Sequence, residues 1–156
     1  MVGSQHAGVL AALYRLCFEQ PWPVAAVAGA LDVPGTVGLV ARRATTPVGF
    51  ILYRLAGGEG EILGLGVVPA HRRGGIGGRL LSVALTQAEE AGAGRMVLEV
   101  AVDNDEASRL YASAGFEAVG QRRNYYARSS GARTDALILA RCLKVSSRFT
   151  NSQTMD

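Results

Sequence analysis

The sequence predicts an α/β (α+β) domain in which about four helices flank one mixed, mostly antiparallel sheet. Three observations carry that expectation. An apolar run over residues 61–68 is followed by two arginines, four glycines and then apolar residues at helical spacing, so it reads as strand, tight basic loop and helix. Two strand-like runs precede it across a short turn. A further strand, a capped helix and a second hairpin follow it.

Taken in order, Val9, Leu10, Leu13, Leu16 and Cys17 recur at three- and four-residue intervals and predict a first amphipathic helix over residues 6–19. Pro21-Trp22-Pro23 ends it. A short second helix is expected over 24–31, with Asp32-Val33-Pro34-Gly35 as its exit turn. Residues 36–44 and 48–55 are rich in strand formers and read as a hairpin turning at Thr45-Thr46-Pro47. Ala56 to Gly60 leads into the central strand. After the helix that begins at Ile76, Gly92-Ala93-Gly94 stops the chain and residues 95–101 form the next strand. Met96, Leu98 and Val100 share one face of it, and Val97, Glu99 and Ala101 the other. Asp103, Asn104 and Asp105 supply capping groups for a helix that ends at Gly115. A last hairpin is expected from 117–126 and 134–143. The domain is expected over 1–144, and the polar, aperiodic stretch 145–156 reads as a disordered tail.

The loop after the central strand lies at a helix start, where unpaired backbone N–H groups and the helix dipole favour anions. Gly74, Gly75, Gly77 and Gly78 let phosphate oxygens approach the amides, and Arg72 and Arg73 add charge. A P-loop is excluded because Lys144 is the only lysine in the chain. A dinucleotide fingerprint fits poorly, since its third glycine would fall on Leu80.

The spacing Arg72-x-x-Gly75-x-Gly77 resembles the pyrophosphate loop of the GCN5-related N-acetyltransferases. The resemblance continues through Leu98-Glu99-Val100, Asn104, Arg109-Leu110-Tyr111, Ala114-Gly115-Phe116 and Arg122-Arg123-Asn124-Tyr125-Tyr126, and covers roughly residues 9–143. This ordered set is similar to the RimI-like branch, which acetylates the N-terminus of a ribosomal protein at alanine. The resemblance implies a sheet splayed between the central strand and the next, with acetyl-CoA as co-substrate and no metal. It assigns backbone groups of Leu65, Gly66 and Val67 to the acetyl end and pantetheine, with donors facing the developing oxyanion. Arg73, Gly74, Gly75, Ile76, Gly77 and Gly78 would hold the pyrophosphate, and Arg72 would bind it or shape the loop. Asn104 is implied as a pantetheine contact, Glu99 as general base and Tyr111 as general acid; Tyr125 and Tyr126 would hold the acceptor. For Glu99, desolvation on a strand lining the site would favour proton uptake. The family often has an extra first strand, for which only about five residues are available here. Many relatives carry arginine or lysine at the position of Gly78, so this chain either binds pyrophosphate less tightly or compensates through Arg79.

Proton removal also bears on the acceptor. An α-amino group titrates near 8 and a lysine near 10.4, a difference of ~3 kcal/mol that favours an N-terminal acceptor. Two other functions fit the same loop: acetylation of a small-molecule amine, or non-catalytic acyl-CoA sensing.

Composition sets outer bounds. At 156 residues and 49% hydrophobic content the chain suits one domain with a full core. No apolar run reaches membrane-spanning length, and the first residues lack a secretory pattern, so a cytoplasmic protein without membrane contact is expected. Cys17 and Cys142 are far apart and lack metal-ligand spacing; both read as buried small apolar residues. A net charge of +3, largely scattered, suits a polyanionic cofactor and gives no reason to expect direct nucleic-acid binding.

Overall fold

The computed structural model describes residues 1–128 and 130–144. The expected tail over 145–156 lies outside the described residues. A six-stranded sheet has the order β1-β2-β3-β4-β6-β5, with β1 Thr36–Arg43, β2 Thr46–Ala56, β3 Glu59–Val67, β4 Arg95–Ala101, β5 Glu117–Ala127 and β6 Arg133–Cys142. Among the described residues only the β3–β4 pair is parallel; the other neighbouring pairs are antiparallel.

Helices α1 Ala7–Cys17 and α2 Val24–Asp32 cover one face, whereas α3 Ile76–Glu90 and α4 Asp105–Ser113 pack with the core of the other. Strand β2 is buried from both sides. Phe50 joins the α1 cluster, while Ile51 and Tyr53 join the α3 cluster, and all three are 0% exposed. This explains why the strand reads as an unbroken apolar run.

The sheet is splayed. Strand β3 pairs with β2 as far as Val67, but its register with β4 runs only from Glu59–Arg95 to Ile62–Leu98. Beyond that point the two strands separate. Helix α1 lies directly on the backbone of the separated half of β3: a Cβ at Gly64 would fall 2.1 Å from the Tyr14 hydroxyl oxygen, and one at Gly66 3.0 Å from the Cys17 sulfur. The glycines therefore permit a helix approach that side chains would block.

Several boundaries differ from expectation. The first helix is shorter at both ends, preceded by a 3-10 turn over Ser4–His6. The first hairpin turns at Ala44 and Thr45 rather than through Pro47, which lies within β2 opposite Arg42 at a register shift. Ala44 takes the left-handed conformation (φ 52°) there, and proline is tolerated where the ladder is irregular. The family's extra first strand is reduced to one bridge, Val2 to Gly38.

Candidate active site

The splay opens into a cavity of about 610 Å³. Leu65, Gly66 and Val67 supply one wall from the free end of β3. Arg72, Arg73, Gly75, Ile76, Gly77 and Gly78 supply the floor, and Asn104 and Tyr111 the α4 wall. Gly74 is the exception among the expected loop residues. It does not line the cavity; its Cβ position faces Arg43, whose guanidinium nitrogen would be 3.5 Å away.

The loop is bent by two left-handed residues, Arg73 (φ 66°) and Gly75 (φ 84°). For arginine this conformation is uncommon, and it is supported by the neighbouring anchor in which Arg72 Nε donates to the Val67 carbonyl at 2.8 Å. Arg72 therefore shapes the loop as well as lining the cavity. No side chain caps the start of α3 and no acid occupies its first turn. Its unpaired amides and the arginines fit a bound polyphosphate.

Asn104 caps α4, its Oδ1 accepting from Ala107 N at 3.2 Å, while also lining the cavity. One element thus sets both its position and that of Tyr111. The Tyr111 ring is 6% exposed and packs edge-on against Phe116. Burial holds its hydroxyl well above the ordinary tyrosine value, and nearby Tyr126 adds to that push. It is a protonated O–H throughout the neutral range.

Glu99 lies on β4 one residue past the last pairing with β3. It belongs to a second cluster at the edge of the splay rather than to the cavity lining. Its carboxylate, 21% exposed, pairs with Arg122 Nε at 2.9 Å, a partner that the sequence did not indicate. Arg122 also lies over the Tyr125 ring, 5.2 Å from its centre. Tyr125 is 43% exposed, and its hydroxyl is raised mainly by a hydrogen bond with Glu99 and then by burial. Tyr126 donates to the Glu99 carbonyl oxygen at 3.1 Å, and its own hydroxyl is raised by burial and by the Glu99 charge. The two tyrosine rings meet edge to face, 5.1 Å apart. Thus the structure brings Glu99, Tyr125 and Tyr126 together.

The tyrosines are aimed by a bulge in β5. The register jumps from Arg122–Ala136 to Tyr126–Thr134, leaving Arg123, Asn124 and Tyr125 outside the ladder. Asp135 holds the bulge, accepting from Asn124 N at 2.9 Å and from Gln121 Nε2 at 2.7 Å. These bonds, the backbone one first, hold its carboxyl below the ordinary range. Arg128 ties the same hairpin to Asp103 and approaches Glu19 at 4.0 Å.

Sequence reasoning did not assign roles to Arg122 or Asp135, because the strand carrying Arg122 is separated from β4 by β6 and no local spacing signals that juxtaposition. It also missed Cys17, Phe18 and Arg109 on the cavity wall. Cys17 is only half-buried and Cys142 is exposed, which corrects the expectation that both are buried. Cys17 ends α1 on the cavity wall, and Cys142 ends β6 opposite the exposed Arg95, while the next residue, Leu143, takes the core side.

Comparison with known proteins agrees with this geometry. Residues 9–116 match the model of the Acetyltransferase (GNAT) family. The N-alpha-acetyltransferase RimI of Mycobacterium tuberculosis is 43% identical over 118 residues, covering 73% of this chain and 72% of that protein. The [Ribosomal protein bS18]-alanine N-acetyltransferase of Escherichia coli K12 is 35% identical over 91 residues, covering 58% and 61% respectively. The crystal structure of the ribosomal-protein-S18-alanine N-acetyltransferase from Escherichia coli superposes with a TM-score of 0.86 at 24% identity, over 95% of this chain and 94% of that one. At that identity the last match speaks for the fold.

Proposed function

The chain belongs to the acetyltransferase (GNAT) family and is an acetyl-CoA-dependent N-acetyltransferase; we propose that its acceptor is the α-amino group of a protein N-terminus, that of a ribosomal protein beginning with alanine. The observation that carries this reading is the cluster of Glu99, Tyr125 and Tyr126 at the edge of the splay, beside a cavity suited to the cofactor. The names of the relatives above support the acceptor class.

Acetyl-CoA supplies the activated acetyl group when bound. In this reading the amides from Arg73 to Gly78 hold its diphosphate, and backbone groups of Leu65, Gly66 and Val67 orient the acetyl end between the strands. Gly74 contributes through its backbone only, since its side facing Arg43 lies away from the cavity. Asn104 contacts the pantetheine arm. Tyr125 and Tyr126 present hydroxyls to the backbone of the acceptor, which brings its amine to Glu99. Glu99 takes the ammonium proton, directly or through one water, and Tyr111 holds a proton ready for the departing thiolate. An α-amino group requires less driving force for that first step than a lysine does.

Residues 1–144 act as the catalytic domain, and the cytoplasm is the compartment that suits a ribosomal-protein substrate. No helix among the described residues is long and apolar enough to cross a membrane. The test is CoA release in the presence of acetyl-CoA with a peptide beginning Ala-Arg, compared with the same peptide blocked at its N-terminus but carrying a free lysine. Turnover of the free N-terminus alone is expected, and loss of that turnover in Glu99→Gln. Activity on small amines but not on the peptide would overturn the acceptor assignment.

A further inference from the structure

The first turn of α3 leaves an imbalance of charge at the cavity. It contains Gly77 and Gly78 and no acid, and its one cation, Arg79, is exposed and does not line the cavity. Beyond Arg72 and Arg73, the glycine part of the floor faces α4: a Cβ at Gly77 would lie 3.4 Å from Leu110 Cδ2, and one at Gly78 4.0 Å from Leu110 Cδ1. Beside Leu110 on that opposite wall stands Arg109, which lines the same cavity. Its Nε donates to the Asp105 carbonyl one turn back at 3.3 Å, which fixes the stem of the side chain. Among the described residues no ion pair engages its guanidinium, although Glu106 lines the same wall. An arginine held at its Nε with its terminal nitrogens uncommitted is a ready donor for a phosphate.

We propose that Arg109 is a cofactor-binding residue that reaches the diphosphate from the α4 wall, opposite the glycine loop, and supplies the cation that the first turn of α3 does not bring to the cavity. The inference rests on the acetyl-CoA reading of this cavity. Its chemistry is that of a two-sided clamp: backbone amides from α3 on one side, a guanidinium from α4 on the other. Because Arg109 is an exposed residue, its contribution is salt-dependent.

The experiment is calorimetric titration of CoA and of 3′-dephospho-CoA into the full chain, the Arg109→Gln and Arg109→Lys variants, and the Arg109→Gln/Gly78→Arg double variant, at low and high salt. Gly78 has room for a side chain, so the double variant returns a cation from the facing wall. Arg109→Gln is expected to weaken both ligands about tenfold at low salt and less at high salt, with Arg109→Lys intermediate and Gly78→Arg restoring most of the loss. Equal affinity in wild type and Arg109→Gln overturns the proposal. A loss confined to CoA overturns the diphosphate assignment in favour of the 3′-phosphate, and failure of Gly78→Arg to restore binding overturns the shared position. If the wild-type chain binds neither ligand, the acetyl-CoA reading itself fails, which the variants do not confuse with the other outcomes.

Discussion

Arg122 and Glu99 form an ion pair across two strand widths, Arg122 Nε standing 2.9 Å from Glu99 Oε1. Glu99 lies opposite Ile138 on β6, Ile138 lies opposite Gly120 on β5, and Arg122 is two residues further along the same face. Gly120 has no side chain to obstruct the arm that reaches back. Glu99→Gln is expected to lower kcat by roughly 100-fold or more while leaving CoA affinity unchanged. Arg122→Met removes only a half-exposed partner (55% exposed) and is expected to lower kcat less than roughly tenfold, the range of an exposed pair. Steady-state kinetics beside CoA titration separates the two. An Arg122 effect as large as that of Glu99 would make the arginine a direct participant.

Tyr111→Phe keeps the ring that packs on Phe116 and removes only the hydroxyl. Thermal stability is expected to stay close to wild type, while kcat falls roughly tenfold to a hundredfold. Because burial raises the Tyr111 hydroxyl, its ionisation contributes no alkaline limb to the wild-type profile near neutrality. A limb that disappears in the phenylalanine variant at pH 7 to 9 would contradict the assignment.

Asp135 holds the bulge that carries Tyr125, the residue proposed to present the acceptor. Asp135→Ala removes the acceptor for Asn124 N and Gln121 Nε2, and is expected to raise the peptide KM roughly three- to tenfold with CoA affinity intact, the scale of a small misplacement of a positioning group. Asp135→Asn, which keeps one acceptor oxygen, is expected to recover part of the loss. The carboxyl is lowered from 3.8 in the folded chain, so its stabilisation is fully present above pH 3.8 and is lost only as pH falls through the lower folded value. Peptide KM measured from pH 7 down to pH 5 is therefore expected to show no contribution from this group.

Gly66→Ala tests the contact between α1 and β3. The new methyl would sit 2.9 Å from Cys17 Cβ and 3.0 Å from both Cys17 Sγ and Phe50 Cε1. Destabilisation of ~1–3 kcal/mol is expected from overpacking, measured as a shift in the unfolding midpoint. Adding Cys17→Gly removes two of the three clashing atoms and is expected to restore part of it. Gly64→Ala, at 2.1 Å from the Tyr14 hydroxyl oxygen, is expected to be the more damaging substitution.

Most of the framework was legible because it rests on local chemistry. Arg95 to Ala101 alternates as a strand, and Met96, Leu98 and Val100 are buried on one face as that alternation requires. The basic glycine loop lies at the start of α3, and Asn104 caps α4. What escaped the sequence depends on strands that are distant along the chain. Arg122 meets Glu99 only because β6 inserts between β4 and β5. Asp135 holds a bulge whose register no spacing rule announces. The first hairpin turned earlier than Pro47 suggested, since Ala44 adopts a left-handed conformation that its residue type does not advertise.

The insertion of β6 also has a consequence for biosynthesis. A nascent chain made only as far as Ala127 has every residue named in the acetyl-transfer scheme, yet the edge of β4 that β6 will occupy is bare from Arg95 to Ala101. Exposed ladder groups of that kind invite pairing with other strands. The spacing between Glu99 and Arg122 is therefore fixed only once residues 133–142 have been made and have joined the sheet between them.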